Sequence, residues 1–565
     1  MNTRKESAIN GNAQKVNMVP EWISSYSKAY LKYDLTAGSI TAAVVIPKAM
    51  AYATVAGLPV QIGLYTVLFP MIIYALFGCS RVLSVSTTTT LAILTGAELS
   101  NINAANLSVM TVLVTLTLLV GFILLLASLL RLGFIANFIS EPVLIGFKAG
   151  IGLVIILDQI PKLLGIHFIK GTFIHNLVSI VEFIPHSSLA TIIIGVVMIF
   201  LLIGLEHYLP KAPAPLIVVA AGIAGMGIFH LYNYGIEQVG FIPRGLPDIE
   251  LPNFALAQQL WPGALGIALM SFTETIAAGR AFAKGEEPII YTNKELLATG
   301  LANVGSSFFG AMPSGGGTSQ TAVNRIAGAR SPMASLVTAG ITLLTMILLA
   351  PLLGLMPQAT LAAVVIVYSI GLIQPKDFRV ILNVRRTEFI WAVSALVAVV
   401  LLGTLKGIIV AIIVSLIALA QQIVDPALHV LGRKPGTNVF RPQSKEHPED
   451  ETFPGLLILR PEGRVFFLNA AQFGEKIRPF LANISPRVLI LDFSGVPDLE
   501  YTALKMLIEA EKRLSSEGTS VWLAGLNTEV LNVINRSELG KKLGRERMYF
   551  NVELAVKKYQ EITNG

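Results

Sequence analysis

Long apolar runs broken by short polar stretches fill the chain from residue 36 to residue 424. Fourteen can be drawn, at 36–56, 62–77, 86–98, 107–130, 141–160, 188–206, 213–231, 258–282, 295–310, 318–328, 332–352, 358–373, 387–404 and 406–424. Most are long enough to cross a hydrocarbon layer ~30 Å thick as a helix. The third and the tenth are too short. Each follows a polar or small-residue tract: Ser84-Val85-Ser86-Thr87-Thr88-Thr89-Thr90 before one, and Pro313-Ser314-Gly315-Gly316-Gly317-Thr318-Ser319-Gln320-Thr321 before the other. They stand third in the first seven segments and third in the second seven. That placement predicts a 7+7 inverted repeat containing two half-helices. Half-helices whose N-termini meet near the midplane aim free N–H groups and positive dipole ends at one point, which suits an anion. Taken alone, the first tract also reads as a Ser/Thr-rich helix packing closely on a neighbour. The matched pair favours the half-helix reading.

Beyond residue 424 the pattern changes. A polar stretch, 432–453, separates a membrane part (33–431) from a segment of ordinary soluble composition (454–565), and a polar N-terminal segment (1–32) precedes both. From Pro454, strands are expected at Leu456–Leu459, Val465–Leu468, Val488–Phe493 and Val521–Leu523. Helices are expected over Thr502–Ser515 and after Asn527.

Composition supports this division. Of 565 residues 53% are hydrophobic and only 14% charged, against about 25% charged in soluble domains. The chain therefore reads as an α-helical polytopic membrane protein with a cytosolic α/β domain and lipid around its spans. The N-terminal segment carries five Lys/Arg and lacks the apolar core of a signal peptide. With that end inside, twelve Lys/Arg fall on cytoplasmic connections against four outside, Lys162, Lys170, Arg244 and Lys406. The even number of spans returns the C-terminus to the cytosol, at the inner or plasma membrane. The net charge of +7 is spread over loops, which argues against nucleic acid. A single cysteine, Cys79, excludes an intramolecular disulfide, and with seven histidines leaves no zinc cluster. No metal or cofactor is expected. There is no nucleotide-binding Gly-x-x-x-x-Gly-Lys-Ser/Thr loop and no nucleophile or paired-carboxylate cluster in the spans, so neither an ATP-driven pump nor an enzyme is supported.

Two charges stand inside the spans. Counting from Thr36 at about 1.5 Å per residue places Lys48 roughly 18 Å into the layer. A charge there marks a pathway for something negative, or pairs with a partner, or snorkels to the interface. Glu274 lies well inside the eighth segment, the repeat counterpart of the first. It can carry a proton, ligate Na⁺, or pair with Lys48. Glu141 and Lys148 lie near the cytosolic end of the fifth segment and read as structural.

The chain also resembles the sulfate permease (SulP) family of anion transporters from Tyr33 to about Glu561. The resemblance rests on Asp34-Leu35-Thr36-Ala37-Gly38, on Ile46-Pro47-Lys48-Ala49-Met50-Ala51-Tyr52-Ala53 with Ala56-Gly57-Leu58-Pro59, on Gly63-Leu64-Tyr65-Thr66, on Phe77-Gly78-Cys79-Ser80-Arg81, and on Thr321-Ala322-Val323-Asn324 with Ala327-Gly328-Ala329. It implies a homodimer of fourteen-span protomers, each with a core domain that carries the site and moves against a gate domain. It also implies a secondary active carrier of sulfate, bicarbonate, chloride, oxalate or a C4-dicarboxylate. Sulfate is the first expectation and bicarbonate the second, driven by H⁺ or Na⁺, with exchange or channel activity as alternatives. The implied substrate pocket is lined by Lys48 and Tyr52, by Ser86, Thr87 and Thr88, and by Gly317, Thr318, Ser319 and Gln320; Glu274, read from its burial, is the candidate coupling residue beside the alternative of pairing with Lys48. The family commonly has glutamine at position 48, and many members have arginine at position 320. The expectation is that one positive charge has moved from the tenth segment to the first. The run Leu491-Asp492-Phe493-Ser494-Gly495-Val496-Pro497-Asp498-Leu499-Glu500-Tyr501-Thr502 resembles the STAS signature, in which related regulators present a phosphorylatable Ser/Thr. Here Tyr501 holds that position, beside Asp498 and Thr502, so dimerisation and trafficking are the expected roles.

Overall fold

The structure is a computed structural model that describes residues 21–24, 26–101, 108–137, 140–168, 171–209, 212–283 and 290–564. Most of the expected N-terminal segment, and the loop cations Lys170, Lys211 and Lys284, lie outside the described residues. The chain forms two compact units, Met1–Leu416 and Ile417–Gly565.

The first unit is helical. In order it contains α1 (Leu31–Val55), α2 (Val60–Phe77), β1 (Val85–Ser86), α3 (Thr89–Asn101), α4 (Val109–Leu129), α5 (Glu141–Leu164), α6 (Phe173–Phe183), α7 (Leu189–Tyr208) and α8 (Ala214–Ile228). It continues with α9 (Ala257–Phe282), α10 (Thr292–Ser307), β2 (Gly315–Gly316), α11 (Thr318–Ile326), α12 (Met333–Leu348), α13 (Gln358–Ile370), α14 (Pro375–Val384), α15 (Arg386–Leu402) and α16 (Thr404–Val424), the last crossing the boundary between the units. Among the described residues, each expected apolar segment overlaps at least one helix. The helices α6 and α14 are additions, and their amphipathic rather than uniformly apolar sequences explain why a search for spans passes over them. Among the described residues, six helices are long and apolar enough to cross a membrane by length and composition.

The helices pack as two groups. One joins α1, α2, α3, α4, α9, α10, α11 and α12, and the other α5, α7, α8, α13 and α15, with α1 meeting α13 and α8 between them. Lipid chains supply little drive for apolar helices to associate, so contact depends on close backbone approach at small residues. Gly63 on α2 faces the Ala49 carbonyl of α1 so closely that a Cβ would collide with it, and Gly146 on α5 meets the Ala392 carbonyl of α15 in the same way. Buried Asp34 closes the first group at one end. Its carboxylate accepts hydrogen bonds from Arg330 N (2.8 Å), Ser331 N (3.1 Å) and Ser331 Oγ (2.7 Å), tying the start of α1 to the start of α12.

The second unit is a six-stranded sheet with helices. Its elements are β3 (Ala427–Arg433), β4 (Phe440–Pro442), β5 (Leu456–Glu462), α17 (Ala470–Ile484), β6 (Val488–Asp492), α18 (Tyr501–Ser516), β7 (Ser520–Ala524), α19 (Thr528–Asn535), α20 (Glu538–Leu543), β8 (Met548–Tyr549) and α21 (Val552–Asn564), in strand order β4-β3-β5-β6-β7-β8. The strands β5 to β8 are parallel, with Leu457 opposite Leu489 and Ile490 opposite Trp522, while β3 is antiparallel to both neighbours. Both faces are covered: Leu457, Leu459, Leu489, Leu491 and Leu523 point to one core, Leu456, Ile458, Val488, Ile490 and Trp522 to the other. That is why these strands read as near-continuous apolar runs.

Two expectations change here. Residues 432–453, expected as a linker, supply β4 and the end of β3, so the sheet begins at Ala427. The strand expected at Val465–Leu468 is a single bridge between Val465 and Leu499, because Val465 turns aside to bond Asp498 O and Glu500 N before α17 starts.

Candidate substrate site

The two expected half-helices exist and begin side by side. The strands β1 and β2 pair antiparallel, Val85 opposite Gly316 and Ser86 opposite Gly315, and α3 and α11 start immediately after them. Such short strands need support. On the β2 side, Ser314 exchanges bonds with Asn303 of α10, its N–H donating to Oδ1 (2.8 Å) and its carbonyl accepting from Nδ2 (3.0 Å). The Ser271 hydroxyl of α9 donates to the same carbonyl (2.6 Å), and Thr275 Oγ1 accepts Gly316 N–H (2.8 Å). Across the pair, Ser84 O accepts from Gly317 N (3.1 Å) and from Gln320 Nε2 (3.2 Å), and Ser84 N donates to Thr321 Oγ1 (3.2 Å). The starts of α3 and α11 are thus bolted to each other and to α9 and α10.

The expected site residues fall into four groups. Ser86 and Gln320 bind each other, Ser86 Oγ donating to Gln320 Oε1 at 3.0 Å, so these side chains shape the crossing. A Cβ at Gly317 would meet the Gln320 side-chain amide, so the glycine lets that amide lie against the backbone. Thr88 caps α3, accepting Leu91 N–H at 3.2 Å, while its hydroxyl donates to Glu274 Oε2 at 2.7 Å. Tyr52 is buried beside Thr89. The groups left for a ligand are the Thr87 hydroxyl, buried at 1% exposure without a hydrogen-bond partner, and Thr318 and Ser319, which are exposed at the start of α11. Gly317, the N-cap of α11, has no side chain, so the first N–H groups of that helix have no side-chain partner at the cap.

Lys48 is buried, 5% exposed, but its partner is not Glu274. Its ammonium lies over the ring of Tyr368, 3.8 Å from the centroid, and the Tyr368 hydroxyl donates to Glu206 Oε1 at 2.8 Å. The two intramembrane charges expected as a possible pair therefore have separate partners: a ring for the lysine and a hydroxyl for the glutamate. Sequence reasoning missed Tyr368, Glu206, Thr89 and the Asn303 brace. Tyr368 lies in the last third of an apolar segment, where a tyrosine ordinarily reads as an interfacial anchor.

In the second unit Asp498 pairs with Arg464 (2.8 Å), Tyr501 is 77% exposed as the first residue of α18, and Thr502 is exposed beside it.

Paired half-helices crossing inside a multi-pass bundle, joined to a sheet domain, define a membrane carrier. The chain belongs to the sulfate permease family, whose model matches residues 31–395, and residues 447–555 match the STAS domain. It is a transporter and not an enzyme. It is 32% identical over 540 residues to a probable sulfate transporter of Mycobacterium tuberculosis H37Rv, covering 95% of this chain and 96% of that one. It is 29% identical to sulfate transporter 3.1 of Arabidopsis thaliana, covering 95% and 86%. The fold matches the murine Solute Carrier 26 family member A9 anion transporter in its inward-facing state, with TM-score 0.89, 22% identity and coverage of 99% and 97%. It also matches the transmembrane domain of the cyanobacterial bicarbonate transporter BicA, with TM-score 0.61, 23% identity and coverage of 68% and 98%.

Proposed function

We propose that this chain is a secondary active importer of sulfate. The observation that carries the reading is the crossing itself: two helix starts fixed together, with an unpartnered buried hydroxyl at Thr87. Hydroxyls and backbone N–H groups bind an oxyanion without neutralising it so strongly that it cannot leave. The buried cation of the first span, Lys48, supplies the positive charge, and relatives described as sulfate transporters support the choice of anion. Glu274, bonded to the cap of α3, couples the site to an H⁺ or Na⁺ gradient. The group containing α1, α3, α9 and α11 acts as the moving core, and the group containing α5, α7 and α13 as the gate. The protein works as a homodimer in the inner or plasma membrane, with both termini cytoplasmic and the STAS domain serving assembly.

Radiolabelled sulfate uptake into proteoliposomes tests this, with imposed H⁺ or Na⁺ gradients and unlabelled bicarbonate, succinate, fumarate and chloride as competitors. Saturable uptake that rises with one gradient supports the reading. Absence of sulfate uptake, with bicarbonate or a dicarboxylate carried instead, overturns the substrate and leaves the pocket.

A further inference from the structure

Lys48 stands on α1, in one helical group, while Tyr368 on α13 and Glu206 on α7 stand in the other. The three form a file: ammonium over ring face, ring hydroxyl to carboxylate. Glu206 is exposed, and its carboxylate lies one residue beyond Lys48 in this file, held by the Tyr368 hydroxyl. An ammonium in a dry setting is drawn more strongly by a full carboxylate than by a ring face. Yet the two do not meet, because the tyrosine ring lies against the ammonium and its hydroxyl occupies a Glu206 oxygen. Lys48 and Tyr52 are four residues apart, hence on the same side of α1 one turn from each other. Tyr52 in turn adjoins Thr89, the first residue of α3.

We propose that Tyr368 is a positioning residue for Lys48: its ring seats the ammonium on the Tyr52 side of α1, within a turn of the half-helix start, and its hydroxyl engages the carboxylate that would draw the lysine away. The proposal rests on the reading of Lys48 as an anion ligand. Removing the ring lets Lys48 swing to Glu206 and leaves the crossing short of positive charge. Glu206 is then the cause of the defect, and neutralising it repairs the defect.

The experiment is sulfate uptake by the full-length protein in proteoliposomes, with KM and kcat measured separately. Tyr368→Leu raises KM about tenfold, equal to ~1.4 kcal/mol and within the range for a desolvated cation–π contact. The change in kcat is much smaller. Adding Glu206→Gln to Tyr368→Leu returns KM toward the wild-type value. Tyr368→Phe keeps the packed ring, and so carries the test where Tyr368→Leu does not fold; it gives a smaller KM rise that Glu206→Gln also reverses. An unchanged KM in both tyrosine variants, or a rise that Glu206→Gln does not reverse, overturns the positioning role. Full uptake by Lys48→Gln overturns the lysine reading itself, a separate outcome.

Discussion

The Thr88 hydroxyl serves two masters, and replacing it should show both. It accepts the Leu91 N–H that caps α3, and it donates to the buried Glu274 carboxylate at 2.7 Å. Thr88→Val keeps the shape and removes both bonds. Loss of a side-chain cap costs about 1 kcal/mol. Loss of a hydrogen bond to a charged acceptor costs about 1.5–3 kcal/mol, the more so because Glu274, 7% exposed, is left short of a donor. Together these give roughly 2.5–4 kcal/mol, a large share of the ~5–15 kcal/mol by which folded domains exceed their unfolded states. Thr88→Ser retains the hydroxyl and is the control. Thermal unfolding of the purified protein in one detergent should place the valine variant several degrees below both serine variant and wild type. Sulfate KM should rise in parallel, because the first turn of α3 no longer holds its N–H groups in place. Equal unfolding temperatures for the valine and serine variants would falsify the assignment of a structural load to this hydroxyl.

Four further outcomes are expected. Glu274→Gln still accepts the Thr88 hydroxyl, so sulfate binding and exchange persist while uphill uptake fails; at zero membrane potential the wild type accumulates about tenfold per pH unit for one coupled proton, and accumulation by the variant in a proton or Na⁺ gradient would sink the coupling role. Lys48→Gln abolishes uptake, and adding Gln320→Arg restores only part of it, because arginine offers no acceptor to the Ser86 hydroxyl that Gln320 holds at 3.0 Å; uptake assays of the two variants decide this. Asp34→Ala, which strands Arg330 N, Ser331 N and Ser331 Oγ, lowers stability by about 3 kcal/mol or more, whereas Asp34→Asn loses less; the comparison of their unfolding temperatures checks the clamp. In the STAS unit, the hydrogen bond from Arg441, with Arg441 Nε 2.9 Å from Asp450 Oδ2, holds the Asp450 carboxyl below the usual carboxylate range. A depressed folded-state value means stability that is present above the unfolded-state pKa and lost as pH falls through the folded one. Hydrogen exchange of β4 should therefore be faster in Arg441→Gln than in wild type at neutral pH, with the gap closing in acid.

Much of this architecture is legible in the chain because the bilayer fixes the length of a spanning helix. Against that ruler the segments at 86–98 and 318–328 are visibly short, and the Ser/Thr and Gly tracts before them mark where backbone must leave the helix. The hydrogen-bond partners are less legible. Lys48 and Tyr368 are brought together by the packing of α1 on α13, which no periodicity in either segment encodes. Glu274 offers a carboxylate whose partner could as well have been a cation; the turn of α3 that presents Thr88 decides the matter. In the STAS unit, only Asp425 and Pro426 separate the apolar helix α16 from β3, so the seven apolar-rich residues of β3 read as the tail of a span. The Val465–Leu468 run has strand composition, but the loop from Asp498 to Glu500 competes successfully for its backbone.

The two-residue pairing of β1 with β2 has a consequence for direction. Each half-helix begins in backbone that is hydrogen-bonded to the other's, so neither start can shift without carrying its counterpart. On the proposed reading, an anion seated between them keeps the same donors whichever aqueous compartment the crossing faces. Intrinsic affinity is then a property of the cradle and not of the side from which it is loaded. Any preference for inward over outward flux must arise from how fast, and with what companion ion, the cradle changes sides.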